Sequence, residues 1–247
     1  AAQMSLFSAI TGKKQSKGGQ LLERLGGAER LEDRREAIAE FKDLTSRQPV
    51  RLVFEGGIGV LLNLLRGEDT DTHRDALETL VNLLDRDVPK EQPEAAQVAA
   101  THNCGVLLSH PEKIGVILGA AENSDMYVRY HATQLLMRLL SVAAARTQEA
   151  MLEQPATVAA VVKLLEDKRE IVRNEVLLLL AQLSAHNASL QTILAFQGAF
   201  DQLIKIIEGE LQSGESGAAA VVNDCFAIVS SLLSSSAAAR RLFREEG

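Results

Sequence analysis

Tryptophan is absent from the 247 residues, and tyrosine occurs only twice, cysteine twice and proline five times. Two cysteines, Cys104 and Cys225, cannot form the disulfide framework that holds small secreted domains, and they fit a reducing, cytoplasmic compartment. Scarce proline and few aromatics among 46% apolar and 24% charged residues make an aliphatic, folded profile that excludes collagen and disorder. Basic residues are outnumbered as well. The 26 Lys and Arg stand against 33 Asp and Glu, for a net charge of -7 and a pI near 5.4, without the electrostatic footprint of nucleic-acid binding. Long apolar runs are also missing: Val176 to Ala181 gives way at once to Gln182 and Ser184, whereas a membrane span needs about 20 apolar residues.

Motifs that carry chemistry are equally sparse. Gly12-Lys13-Lys14 has neither the upstream glycine nor the preceding strand of a phosphate-binding loop. His102, Cys104 and His110 fall short of the four-ligand spacing of a structural zinc site, and His110-Pro111 reads as a helix boundary. Cys225 sits where a small thiol serves as packing material. The carboxylate pairs Asp69 with Asp71 and Glu245 with Glu246 read as solvent-facing turn and chain end, with no pocket to perturb them. Asn187-Ala188-Ser189 matches a glycosylation sequon in a chain with no secretion signal. The expectation is a protein with no enzymatic activity, no cofactor and no metal. At the N-terminus, Leu6, Phe7 and Ile10 precede Lys13, Lys14 and Lys17, the reverse of a signal peptide. The short patch reads as a mobile tail, with a weak lipid-contacting anchor as the alternative.

What the sequence does contain is an internal repeat. Ala37, Ala76, Ala132, Val176 and Cys225 are each followed at +4 and +7 by a bulky apolar residue: Phe41 and Leu44, Leu80 and Leu83, Leu136 and Leu139, Leu180 and Leu183, Val229 and Leu232. Positions 0, +4 and +7 form one stripe on a helix. Eighteen residues ahead of three anchors stand Ile58, Ile114 and Val158, each opening a second amphipathic stretch. Polar turns at Glu68 to Asp71, Glu122 to Asp125 and Glu166 to Arg169 are suited to cap the helices that follow. A fifth copy starts at Phe200, with a loop expected over Gly209 to Gly217 and a helix restarting near Ala218. The anchors stand 39, 56, 44 and 49 residues apart, close to the roughly 40 to 47 of armadillo or HEAT units. The longest spacing holds the Pro-containing insertion Asp85 to Glu94.

This predicts an all-α fold: a right-handed α-solenoid of about five armadillo/HEAT-like helical repeats, cut short at its C-terminus. Residues 1–20 are expected as a flexible segment and 21–247 as the repeat domain, with a polar loop near 85–94. Arg129 and Arg173, three residues before their anchors, are expected to order a turn or the adjacent repeat. At +6 from the anchors stand Asp43, Asn82, Arg138, Gln182 and Ser231. A solenoid stacks equivalent positions along one surface, so this row is the candidate partner-binding site on the concave face, with simple access to solvent as the alternative.

Five stretches carry a resemblance. Lys168 to Leu180, Ile193 to Phe200, Val221 to Cys225 and Leu242 to Gly247, together with Leu31 to Ala37, resemble the globular head of the general vesicular transport factor, the Uso family of Golgi tethers. The resemblance runs colinearly from about residue 30 to the end and is most specific from 165 to 247. It implies an armadillo-like head that forms a homodimer and tethers transport vesicles to Golgi membranes in ER-to-Golgi and intra-Golgi transport. Implied partners are Rab-type GTPases, SNARE proteins, coatomer components and golgins, and the implied location is cytoplasmic, peripheral on Golgi and vesicle membranes. The chain has no heptad-bearing coiled coil and no acidic tail and reads as the N-terminal part of a longer head. The insertion at Asp85 to Glu94 mixes charges where the family's loop is more acidic. Another armadillo scaffold or adaptor is the alternative; a nuclear-import receptor is disfavoured by the missing Trp and the single Asn, Asn82, in the +6 row.

Overall fold

Every anchor of the repeat is fully enclosed: Ala37, Ala76, Ala132, Val176 and Cys225 have no exposed surface. Their +4 and +7 partners are buried with them, as are Ile58, Ile114 and Val158 in the second helices. Each large aliphatic side chain so enclosed contributes roughly 1.5–3 kcal/mol, and this burial decides which face of each helix points inward. The computed structural model describes residues 16–48, 50, 56–86, 93–110, 112–213 and 217–246. Within these it is entirely helical, and the chain divides into two compact units, Ala1–Leu107 and Leu108–Gly247. Each is built of armadillo-like helical repeats, an all-α solenoid architecture.

The first unit holds α1 (Lys17–Gly27), α2 (Leu31–Arg47), α3 (Gly56–Leu64), α4 (Thr70–Leu83) and α5 (Pro93–Leu107). Helix α2 packs on both α1 and α4, and α3 lies against α4. Helix α1 starts inside the stretch expected to be flexible. The Ser16 hydroxyl accepts the Gly19 N–H at 3.1 Å, and the N-terminal turn is drawn inward at Gly18, where a side chain would stand 3.3 Å from Val50 Cγ1. The last two residues of the expected insertion loop are helical. Pro93 and Glu94 open α5, since proline at the first helical position surrenders no hydrogen bond; residues 87–92 lie outside the described residues, as do the N-terminal apolar patch and Gly12 to Lys14.

The second unit holds α6 (Glu112–Ala121), α7 (Met126–Leu152), α8 (Pro155–Lys163), a 3-10 turn (Leu164–Glu166), α9 (Glu170–Ser184), α10 (Ala188–Phe196), α11 (Ala199–Ser213), α12 (Ala218–Ser235) and α13 (Ala237–Glu246). Helices α7, α9 and α12 carry the anchors and pack in that order, α9 touching both neighbours. A third helix per repeat escapes the two-helix pattern of the sequence. It is the short α10, capped by the Asn187 side chain on Leu190 N, and the second half of α7. Helix α7 leaves helical geometry at Ala143 (φ -148°, ψ 65°) and resumes, with Thr147 Oγ1 donating to the Ala143 carbonyl at 3.0 Å. Gly198, with φ +83°, makes the left-handed corner between α10 and α11. Gly209 is not in a loop: α11 runs through it to Ser213, carried by the buried Phe200, Leu203 and Ile206.

Leu180, fully enclosed in α9, is the sharpest test of the assignment. Leu180→Asp places an unpaired charge in the stripe and is expected to cost more than about 3 kcal/mol, seen as an early loss of helical circular dichroism on heating. An unaltered melting profile would contradict the repeat register.

Candidate interaction surface

Polar contacts between successive repeats set how rigid any surface can be. In the first unit Arg35 of α2 grips Asp69 with two guanidinium nitrogens, Nε at 3.1 Å, and Lys42 pairs with Asp75 and Glu78 of α4. In the second unit Arg129 of α7 reaches forward to Asp167 while donating to the carbonyls of Asn123 (3.0 Å) and Ser124 (2.8 Å). Arg173 of α9 does the same to Glu210 at 2.7 Å. Arg129 and Arg173 thus order a turn and an adjacent repeat, as their positions predicted.

These pairings correct two readings of the polar turns. Asp69 is no free turn carboxylate: it caps α4 through Thr72 N and is held by Arg35. The hydrogen bond from Arg35 is the main reason its carboxyl lies far below the usual range. The turn before α9 has no side-chain cap; Arg169 occupies the cap position, because Asp167 is committed to Arg129 and to Arg169 N at 2.9 Å. Burial pushes the Asp167 carboxyl up, and the Arg129 hydrogen bond with the surrounding donors and charges more than reverses it. Among the earlier candidates, Asp125 caps α7 as expected, accepting from Val128 N at 3.1 Å.

Side-chain amides form a second layer that sequence reasoning missed. Asn103 is fully buried and donates to the carbonyls of Leu83 (2.9 Å) and Val50 (2.8 Å). Gln148 donates to the carbonyls of Leu183 and Ala185, and Gln191 to that of Ser184. Each supplies donors to a helix C-terminus whose last carbonyls have no partner in the helix itself. In sequence Asn103 is merely one of three successive polar residues, Thr101, His102 and Asn103, with nothing to mark it as the buried one.

The five residues at +6 meet different fates. Asp43 is exposed and pairs with Arg47 one turn on. Asn82 is half-buried, its amide 3.4 Å from Thr45 Oγ1. Arg138 is half-buried on α7, its charge reaching Glu175 of α9. Gln182 is exposed, and Ser231 shares hydrogen bonds with Ser184 and Gln191 at 3.3 Å. In the second unit Arg138, Gln182 and Ser231 stand on the three successively packed helices α7, α9 and α12. Exposed apolar side chains absent from the row also stand on α7 and α9: Tyr127, Ile171 and Leu178, 54%, 51% and 45% exposed, with Leu178 one helical turn from Gln182.

The remaining candidates are structural. Cys104 and Cys225 are buried free thiols, and burial, with the Asp224 and Glu210 charges adding to it, pushes Cys225 up to about 11. His102 is half-buried and His110 exposed; among the described residues no three His, Cys, Asp or Glu converge to hold a metal ion. Asn187 spends its amide on capping α10 and on Gln148. No described helix is long and apolar enough to cross a membrane.

No protein-family model matches the chain. Individual proteins do. Golgin candidate 6 of Arabidopsis thaliana is 35% identical over 210 residues, 83% of this chain and 22% of that protein. General vesicular transport factor p115 of Bos taurus is 30% identical over 235 residues, 91% of this chain and 24% of its own length. The chain spans about a quarter of the length of these curated relatives. A solved structure of Uso1 superposes with a TM-score of 0.77 at 22% identity, covering 98% of this chain and 38% of that one, a likeness of fold.

Two outcomes follow from these environments. Asp69 and Asp167 have depressed carboxyls, so their stabilising contribution is full above the unfolded value near pH ~4 and is lost as pH falls through the lower folded values. Thermal midpoints are expected to drop on acidification below about pH 4; the double variant Asp69→Asn, Asp167→Asn should be less stable at neutral pH and show a shallower drop. Cys225, with about one thiol in a thousand ionised at pH 8, should resist iodoacetamide in the folded chain and react once it is denatured.

Proposed function

Because this chain is a homologue of the p115/Uso1 vesicular transport factors, we propose that it serves as part of the repeat head of a vesicle-tethering factor, acting without enzymatic chemistry in ER-to-Golgi and intra-Golgi transport. The observation that carries this reading is the 30% identity to p115 over 91% of the chain. In this role the protein sits on the cytoplasmic side of Golgi and vesicle membranes as a peripheral, homodimeric component. Its partners are Rab-type GTPases, SNARE proteins, coatomer components and golgins.

The physical case rests on rigidity. A tether must present a surface that survives the encounter of two membranes, and side chains already ordered lose little entropy on docking. Helices locked by Arg129 to Asp167 and Arg173 to Glu210 supply such a surface, and the exposed Leu178, one turn from Gln182, adds apolar area. The +6 row is proposed as part of the docking face.

Titrating the full chain against immobilised Golgi Rab GTPases, loaded with a GTP analogue or with GDP, tests this. Preferential binding to the GTP state is expected, and the double variant Arg138→Ala, Gln182→Ala should weaken it while leaving the melting profile intact. Equal affinity of the variant would remove the +6 row from the docking face. Absence of binding in both states, with the chain folded, would count against a GTPase-binding role for these residues.

A further inference from the structure

From Val176 to Phe200 the chain carries no Asp, Glu, Lys or Arg, although 24% of all its residues are charged. A second biased stretch runs from Cys225 to Arg244, where Arg240, Arg241 and Arg244 are met by no acid. The fold brings the two stretches together. Helix α13 packs on α10 and α12, and its Phe243 ring meets Phe200 edge-on with centroids 4.9 Å apart. Phe200 opens α11 just past the Gly198 corner that ends α10, so the C-terminal half of α13 is held beside the C-terminal end of α10.

Each of these helices turns a distinct face outward. On α13 Ala239 is enclosed and Leu242 and Phe243 are half-buried, whereas Arg240, Arg241 and Arg244 are all exposed and fall within about 100° of one another around the helix axis. On α10 Ser189, Thr192 and Phe196 share the side opposite the buried Leu190 and Leu194, and Phe196 is 57% exposed. Arg240 spends part of its guanidinium on the carbonyls of Leu233 (2.7 Å) and Ser234 (3.3 Å) at the end of α12. Arg244 donates to the Arg240 carbonyl at 3.2 Å, and none of the three arginines is neutralised by a carboxylate among the described residues. Of the acids nearby, Asp201 is paired with Lys205 at 3.7 Å, and Glu245 and Glu246 come only after the last arginine. One aromatic among Ser, Thr and Ala is too little apolar surface for the core of a protein interface. An aromatic wedge bordered by arginines is instead the chemistry that suits a lipid headgroup boundary.

We propose that the α10 and α13 face lies on an anionic phospholipid surface, with Phe196 in the headgroup boundary and Arg240, Arg241 and Arg244 donating to lipid phosphates. Charge also sets the orientation. The whole chain carries -7 and is repelled by an anionic bilayer, so it approaches by the edge where arginines gather. No described helix crosses a membrane, and this contact needs none. The inference rests on the reading of this chain as a peripheral membrane component, and it names where the membrane touches it.

Vesicle flotation with the full chain at about 100 mM salt tests it, comparing phosphatidylcholine vesicles with and without about 30% phosphatidylserine. Binding to the anionic vesicles is expected, and binding to pure phosphatidylcholine should be weaker by about tenfold or more. Arg241→Gln with Arg244→Gln should weaken anionic binding about twentyfold, each arginine at such a surface being worth about fivefold. Lys168→Gln with Arg169→Gln, exposed bases in the turn before α9, should change it by less than about twofold. Both pairs should keep the parent melting profile, which separates loss of contact from misfolding. The chain has no tryptophan, so Phe196→Trp supplies a single reporter: its emission should shift to the blue on anionic vesicles, and that of Ile171→Trp, an exposed site on α9, should not. No binding to anionic vesicles, equal binding to both vesicle types, an unshifted Phe196→Trp spectrum or equal weakening by the Lys168 and Arg169 pair would overturn the proposal. So would a blue shift that grows with protein concentration in the absence of vesicles, which would mark the face as a contact between copies. If GTP-selective capture of a Rab GTPase persists in those cases, this inference alone falls; if vesicles bind and no Rab GTPase does, it is the GTPase docking that fails.

Discussion

No repeat of this protein can bury its own apolar stripe. A helix of some fifteen residues is marginal in water by itself, and the stripe through Val176, Leu180 and Leu183 becomes enclosed only because α7 and α12 close on α9 from either side. Everything else follows from that dependence. All five anchors, each small or branched, have no exposed surface. Turns must be polar because they emerge at the rim, and the carboxylates they carry are then within reach of arginines from the preceding repeat.

Polar side chains then decide how firmly the stack is held. A buried helix end with unpaired carbonyls would be costly, and Asn103, Gln148 and Gln191 meet that demand with amide donors. Arg129 works on two fronts, closing its own turn at Asn123 and Ser124 and holding Asp167 of the next.

Much of this was legible in the residues. Stripes at 0, +4 and +7 located the enclosed faces because helical periodicity is a strong signal over several turns, and the position of Arg129 foretold its bonding. The third helix of each repeat was not legible. At nine residues α10 makes only about two and a half turns, and its apolar Leu190, Ile193, Leu194, Ala195 and Phe196 crowd one end without marking a single face, too short for periodicity to register. Gly209 misled for the opposite reason: glycine and serine nearby read as a loop, while Phe200, Leu203 and Ile206 held the helix through it. The +6 row marks positions rather than roles. Asn82 and Ser231 turned inward to neighbours and Gln182 outward, a choice set by which side chains stand opposite and therefore invisible in one repeat's sequence. Asp69 shows the same limit, its turn being visible and its partner Arg35, 34 residues away, not.

Helix α7 has a consequence for how such a chain can be edited by evolution. It runs from Met126 to Leu152 as two helical halves that meet at the irregular step at Ala143, so the anchor helix of one repeat and the first helix of the next are joined by a kink with no loop between them. Its C-terminal half reaches Leu183 and Ala185 through Gln148. Repeats joined by loops can be duplicated, deleted or exchanged as modules, but here the seam is the kink itself, with no loop to absorb a cut. An insertion at Ala143 would break the Thr147 hydrogen bond and shift the second half of the helix, whereas the turns on either side of α7 can absorb a change of length.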